Sequence, residues 1–97
     1  MTRYRVLAWR GIPAQVKAQD EGGRPVSVQL DVWFTEHIDR VAMREGLHGS
    51  DDYLAQWDWS EYRERPGSAQ EVAAAVAAEL EADWAPKRRA WEQGEEV

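Results

Sequence analysis

The sequence predicts an α+β domain in which a short antiparallel sheet, of three to four strands beginning with an N-terminal meander, is covered by two to three helices. Side chains alternate over the first third of the chain, as in strands, and residues typical of helix starts follow. A chain of 97 residues forms one domain, because two cores of this total length would each be too small. We place this domain at residues 1–85 and treat residues 86–97 as a charged C-terminal tail or an extra helical turn.

Alternation and turn residues predict the N-terminal meander. Residues 3–10 alternate between two faces, as in a half-buried strand. Pro13 cannot donate a hydrogen bond to a ladder, so we expect a bend or bulge before a second strand over about residues 14–18. The paired glycines at 22–23 supply the positive φ of a tight turn, and residues 26–30 alternate again as a third strand. The face shared within the first strand carries Tyr4, Val6 and Ala8.

Three capping signals predict the helices. Asp31 precedes an apolar stripe of helical spacing over residues 32–45, and Ser50 begins a short helix. Ser68 and Glu71 form a capping box before a long alanine-rich helix. Proline disfavours helical geometry in the residue before it, so we expect Pro86 to stop or kink this helix.

The segment between the second and third helices is predicted to complete the core. Tyr53, Leu54 and Trp57 have the i, i+1, i+4 spacing of an inward face, so Trp57 would anchor the short helix. Trp59 to Arg65 would follow as one extended stretch.

Composition excludes several classes of function. The balance of 12 basic and 18 acidic residues gives a net charge of −6, which repels phosphate backbones and anionic lipid. We therefore expect neither nucleic acid nor membrane as a partner. The absence of cysteine excludes disulfides and thiolate-bound metal centres. There is no secretory signal pattern and no membrane-spanning run, so we expect a cytoplasmic location.

The six tryptophans serve, on this prediction, mainly to fill a small interior. A core of this size leaves some aromatic surface open, and a contiguous open patch marks an interface with a partner, most simply another protein. The candidates are Trp9, Trp33 and Trp91, because each lies off the main apolar stripe of its element.

A second set of residues has the chemistry of a ligand site. Trp57 and Trp59 with Arg63 and Arg65 could stack a planar ligand and hold its negative charge. Ser68 stands at a helix start, where free N–H groups attract anions, although Glu71 competes for that position. Packing by the tryptophans, with arginines over their rims, is the favoured alternative for this set.

Catalytic and metal-binding patterns are weak. His37 and His48 are the only histidines, and no ligand set surrounds them, so surface or helix-end positions are favoured. Ser50 is explained more simply as a cap than as a nucleophile. The basic cluster at 87–89 is most simply part of a solvated tail, with pairing to an acidic partner as the alternative. We predict no catalytic residues, no metal and no cofactor.

Three stretches carry a resemblance to a known family. The stretches WRGIPAQV at 9–16 and WDWSEYRERPGS at 57–68, with DRVAMREGL between them, resemble a small bacterial family labelled "virulence factor". The resemblance covers about residues 2–85. It implies an accessory role, since stand-alone members are encoded beside enzymes of folate- and corrinoid-dependent methyl transfer. Longer members add an iron–sulfur-scaffold-like segment and helical repeats, neither of which is present here.

These observations together predict a non-catalytic accessory or protein-interaction domain of a bacterial cytoplasm. The alternative is a small-molecule-binding accessory protein linked to folate or corrinoid metabolism, with Trp57, Trp59, Arg63 and Arg65 holding the ligand.

Overall fold

The computed structural model describes residues 1–47 and 49–94, and within these ranges it has five strands and three helices. The strands are β1 (Thr2–Trp9), β2 (Ile12–Asp20), β3 (Val26–Gln29), β4 (Trp57–Trp59) and β5 (Arg63–Arg65). The helices are α1 (Val32–Arg44), α2 (Asp51–Ala55) and α3 (Ala69–Glu92). The predicted α+β class and its N-terminal meander are confirmed.

The strands form one antiparallel sheet in the order β3-β2-β1-β4, with β5 also paired to β1. Strand β1 is long enough to pair with β2 along one side and with two short strands along the other. The sheet has five strands instead of three to four because the predicted extended stretch from Trp59 to Arg65 is interrupted. At that interruption the Ser60 hydroxyl accepts a hydrogen bond from the Val6 N–H at 2.9 Å.

The predicted irregularity near Pro13 is a bulge. The pairing of β1 with β2 shifts between Leu7 and Ala8, whose partners are Gln15 and Pro13, so Ala14 has no direct partner on β1. An unpaired extra residue of this kind bends a strand and lets a proline sit where no ladder hydrogen bond is needed. Strand β2 therefore begins at residue 12, earlier than the sequence indicates.

All three predicted helix starts are confirmed. The side chains of Asp31 and Ser50 each accept a hydrogen bond from a backbone N–H in the first turn of their helix. Ser68 and Glu71 form the reciprocal capping box of α3, with nitrogen–oxygen distances of 3.1 and 3.3 Å. Local side-chain chemistry is sufficient to set these positions.

The chain departs from the prediction on either side of α2. This helix ends at Ala55, and Trp57 belongs to β4 instead of anchoring the helix. Leu54 is 65% exposed, so its expected inward position is wrong. A single turn of helix has too narrow an inner face to bury three large side chains, and only Tyr53 of the three packs inward from α2.

The prediction that Pro86 ends the last helix is wrong, because α3 continues to Glu92 with Pro86 inside it. The alternative, a kink at Pro86, stays a prediction. Proline costs one hydrogen bond, here to the Ala82 carbonyl. Ring contacts from Trp84 and Trp91 to His37 on α1 hold both sides of that position. The charged segment is thus helical as far as residue 92, and residues 95–97 lie outside the described ranges.

The core lies between one face of the sheet and the helices. Helix α3 packs mainly on β2 and β3, and α1 packs on β2. The largest fully buried side chains are Trp9, Phe34, Ile38, Val16 and Thr2. This arrangement leaves the half of the sheet formed by β1, β4 and β5 less covered by helices. Among the described residues, no helix is both long and apolar enough to cross a membrane.

Candidate functional site

A groove of about 740 Å³ opens where the sheet is least covered, between α3 and the strands β1, β4 and β5. Its floor carries Tyr4, Val6 and Ala8 from β1. Its helix wall carries Val76, Leu80 and Trp84, and its opposite wall carries Trp57 and Arg63. We call this surface the groove. Apolar floor and aromatic walls with a few charged groups are typical of a binding surface.

Local periodicity explains how the groove is built. Alternation along β1 places its three floor residues on one face, as the sequence predicts. Arg63 is the direct partner of Tyr4 across β1 and β5, so the two share that face. On α3, Val76, Leu80 and Trp84 follow one another at four-residue spacing and form one stripe along the helix.

The four predicted ligand residues do not lie on one surface of the structure. Trp57 and Arg63 line the groove, whereas Trp59 and Arg65 do not. Trp59 lies beneath Arg5, whose Cζ is 4.4 Å from the centre of an indole ring. Arg5 also lies 4.8 Å from the ring of Tyr62, so this side chain is part of a separate surface stack. The predicted grip by all four residues is therefore not assembled.

Arg65 is committed to an ion pair. Its two terminal nitrogens donate to the two carboxylate oxygens of Glu79 at 3.0 and 2.8 Å. This forked hydrogen bond holds the pKa of Glu79 below its usual value. Because Arg65 is partly exposed and Glu79 is mostly exposed, the pair adds little to the stability of the fold. Arg65 is not available to a ligand in this arrangement.

The helix start at Ser68 is occupied by carboxylates of the chain itself. Glu71 accepts from the Ser68 N–H, and Asp20 accepts from the Ala69 N–H at 3.2 Å. These contacts use the N–H groups and the positive end of the helix dipole that would attract an external anion. The structure therefore does not support Ser68 as an anion contact.

Two of the three predicted interface tryptophans are in the core. Trp9 is 0% exposed and its Nε1–H donates to the Tyr53 carbonyl at 2.8 Å. Trp33 is 7% exposed and stacks on His37 with ring centres 4.8 Å apart. The prediction that they form an open surface is wrong, because segments distant in sequence fold over them. Trp91 is half-buried, and its role as a partner contact stays a prediction.

His37 is buried, not at the surface or at a helix end as expected, and is 2% exposed. Its ring contacts Trp33, Trp84 and Trp91. Burial holds the pKa of His37 below its usual value, and the positive charges of Arg40, Arg44 and Lys87 lower it further. His48, the other histidine, lies outside the described residues. Within them, no group of three or more metal-binding side chains comes together.

The basic segment after Pro86 is not a solvated tail. The Nζ atom of Lys87 lies 4.3 Å from the centre of the Trp84 ring, and Arg88 approaches Asp31 at 3.5 Å. The sequence analysis missed Arg40, whose Cζ lies 4.4 Å from the centre of the Trp91 ring. We call this group the aromatic–basic cluster, and its members are Trp33, His37, Arg40, Trp84, Lys87, Arg88 and Trp91.

A sequence signal for this cluster was present. Aromatic and basic residues alternate at three- and four-residue spacing on α1, at 33, 37 and 40, and on α3, at 84, 87, 88 and 91. Such spacing places each set on one helix face. It does not show that the two faces meet.

A comparison with protein-family models assigns the chain to a family. The model described as "Virulence factor" matches residues 7–89 of the 97. The chain belongs to the Virulence factor family. No curated protein and no solved structure matches it.

The matched region of this Virulence factor domain contains most of both surfaces. Trp57, Arg63 and the α3 wall of the groove lie inside residues 7–89, as does Arg40. Tyr4 and Trp91 lie outside the match. The family name carries no reaction and no ligand, so a function has to be argued from these two surfaces.

Proposed function

We propose that this Virulence factor domain is a non-catalytic interaction module whose groove binds an amphipathic helix of a partner protein in the bacterial cytoplasm. The observation that carries this proposal is the apolar floor of β1 that lies open beside the α3 wall of the groove. Exposed apolar surface rimmed by charged groups is typical of sites for protein partners.

The geometry of the layers favours a helix as the occupant. Helix α3 covers the β2 and β3 half of the sheet and leaves the β1 half open beside it. Packed helices lie about 8–10 Å apart, so a second helix alongside α3 would complete the layer over β1. Its apolar stripe would meet Val76 and Leu80 on one side and Trp57 on the other.

The charges of the groove specify the partner further. Within the described ranges Arg63 has no ion pair, and it stands on the groove wall opposite α3. Asp58 and Asp83 also line the groove. We therefore expect the partner helix to carry an acidic residue facing Arg63 and a basic residue facing one of the two carboxylates. Such complementarity sets orientation and partner choice more than affinity.

The chemistry that the groove presents supports a binding role. The Ser60 hydroxyl already accepts from Val6 and donates to the Glu61 carbonyl, so it is held by backbone groups. His37, the histidine within the described residues, belongs to the aromatic–basic cluster and is not among the groove residues.

Site-specific photocrosslinking in the source bacterium tests the proposal. A photoreactive amino acid replaces Leu80 in the groove, and in the matched control it replaces Leu54, which is exposed on α2. We expect one protein to be crosslinked from position 80 and not from position 54. The purified partner should then bind the wild-type domain and Leu54→Lys equally, and Leu80→Lys at least tenfold more weakly.

Three outcomes contradict the proposal. The first is equal crosslinking from both positions, and the second is a purified partner that binds Leu80→Lys as tightly as the wild type. The third is crosslinking from position 80 to a second copy of the chain, which would make the groove a dimer interface. Circular dichroism of each variant shows whether it remains folded.

A second candidate function is small-molecule binding in the same groove, favoured by the presence there of both Trp57 and Arg63. An indole beside an unpaired guanidinium suits a planar anionic ligand, and the family resemblance directs the choice toward folates or corrinoids. Titration of folates, corrinoids and nucleotides against tryptophan fluorescence tests this candidate. A saturable change that Trp57→Phe reduces would support it, whereas no change at millimolar ligand would exclude it.

A further inference from the structure

The aromatic–basic cluster is positively charged, although the chain as a whole is negatively charged. The protein carries a net charge of −6, yet α1 and α3 bring Arg40, Lys87 and Arg88 together around three indole rings. Asp31 and Glu92 each pair with Arg88 at the edge of this cluster. Within the described ranges, Arg40 has no ion pair.

Unpartnered polar atoms are concentrated in this cluster. Among the described residues, five buried side-chain nitrogens have no hydrogen-bond partner, and four of them belong to Trp33, His37 and Arg40. Trp33 and His37 are themselves more than nine-tenths buried. Burying a donor without an acceptor is unfavourable, so such atoms are expected to meet an acceptor when the protein functions. The fifth atom, Arg5 Nε, belongs to the surface stack with Trp59.

The unpartnered atoms of Arg40 identify the acceptor. They are Nε and Nη2, which lie on one edge of the guanidinium and carry N–H bonds that point the same way. This edge matches two oxygens of one carboxylate or phosphate group in a forked hydrogen bond. The Nε1–H of Trp33 is a further donor, as is Nδ1 of His37 in the tautomer that carries its proton there. All of these donors suit an oxyanion.

We propose that the junction of α1 and α3 is an oxyanion-binding site, in which Arg40 binds two oxygens of a carboxylate or phosphate group and Lys87 adds positive charge. In the structure described here, the indole of Trp91 covers the guanidinium of Arg40. Entry of the anion requires the end of α3 to move aside. Pro86 makes this movement easier because it removes one hydrogen bond of the helix just before the covering turn.

This site is separate from the groove. Of the cluster residues, Trp84 alone also lines the groove, and Arg40 has no part in it. A result that contradicts one proposal therefore leaves the other unaffected.

Nuclear magnetic resonance of the ¹⁵N-labelled full chain tests the site with two probes, inorganic phosphate and acetate, each added at pH 7. Sodium chloride at the same ionic strength is the control for screening. We expect one of the two anions to shift the indole N–H signal of Trp33 and to saturate at millimolar concentration, while chloride has no effect. The anion that saturates shows whether phosphate or carboxylate is the preferred group.

Two variants and a matched control connect the signal to Arg40. Arg40→Lys keeps the charge but lacks the paired N–H edge, so we expect roughly tenfold weaker binding. Lys87 is exposed, so we expect Lys87→Gln to fold and to bind roughly threefold more weakly because of the lost charge. Arg89→Gln removes an exposed charge from the same helix and should leave binding unchanged.

Several results would overturn the proposal. Shifts that stay linear up to about 100 mM of either anion would indicate non-specific screening and no site. Equal affinity in Arg40→Lys, or an equal loss in Arg89→Gln, would show that the paired edge of Arg40 does not hold the anion. If Arg40→Lys does not fold, Lys87→Gln decides, and unchanged affinity there contradicts the site.

Discussion

Replacing Trp9 with phenylalanine tests the packing account most sharply. The side chain is 0% exposed, its indole N–H donates to the Tyr53 carbonyl, and its ring lies 5.6 Å from that of Tyr53. Phenylalanine keeps an aromatic ring but has no donor and three fewer ring atoms. The Tyr53 carbonyl keeps its hydrogen bond from the Gln56 N–H, so the lost bond costs about 0.5–1.5 kcal/mol, and the cavity left by the missing ring atoms adds to that cost. We therefore expect Trp9→Phe to lower the free energy of unfolding by about 2–4 kcal/mol.

Urea denaturation followed by circular dichroism measures this effect without depending on tryptophan emission. The matched control is Trp57→Phe, because Trp57 lies on the groove wall with part of its ring exposed. We expect this control to change the free energy of unfolding by less than about 1 kcal/mol. An unchanged denaturant slope would show that both variants unfold from the same compact state. A loss below about 0.5 kcal/mol for Trp9→Phe, or equal losses in both variants, would refute the reasoning.

Three further predictions concern the pH response, a cap and an exposed side chain. The pKa of buried His37 is lowered in the folded state, so the unfolded chain binds the proton first as the pH falls below about 6.5. The contribution of His37 to the free energy of unfolding should therefore be complete above that pH and decline below it by at most about 1.4 kcal/mol per pH unit. In urea melts between pH 6.5 and 5.5, His37→Phe should remove this part of the pH dependence. Ser68→Ala breaks the capping box of α3 and should lower the free energy of unfolding by about 1 kcal/mol in the same assay. The control Ser27→Ala, at an exposed position of β3, should have no effect. Equal losses in the two variants would contradict the role of the cap. Leu54→Ser should change stability by less than about 0.5 kcal/mol because the side chain is exposed, and a larger loss would restore the inward position that the structure excludes.

The sequence predicts features that depend on neighbouring residues. Asp31, Ser50 and Ser68 begin their helices where capping chemistry places them, because a side chain and the first backbone N–H groups are adjacent in the chain. Alternation likewise places Tyr4 and Val6 on one face of β1. Local patterns therefore determine element type and the face that each side chain shares.

Features that depend on distant segments are not predictable in this way. Trp9 is buried because α2 packs against it, as shown by the hydrogen bond from its indole to the Tyr53 carbonyl and by the contact between the two rings. Alternation in β1 gives no sign of that cover. Similarly, Pro86 does not end α3, because contacts of Trp91 with α1 outweigh one lost backbone hydrogen bond.

The candidate site shows the same difference between local features and features that depend on distant segments. Trp57 and Arg63 were identified from residue type and lie in the groove, whereas Trp59 points to Arg5 on another surface. Trp59 is the direct partner of Leu7 on β1, whereas Arg63 is the direct partner of Tyr4, so these two side chains lie on opposite faces of the sheet. The interruption over residues 60–62 causes this change of face, and the sequence pattern does not predict it. The pairing of α1 with α3 that assembles the aromatic–basic cluster has no local signal.

The central claim of this account is that Trp57 and Trp84 face an open groove while Trp9 and Trp33 lie in the interior. Incorporation of 5-fluorotryptophan, with each ¹⁹F signal assigned by a tryptophan-to-phenylalanine variant, allows a soluble paramagnetic agent to report the exposure of every indole. We predict strong broadening of the signals of Trp57 and Trp84 and none for Trp9 and Trp33. Broadening of Trp9 equal to that of Trp57 would contradict the claim.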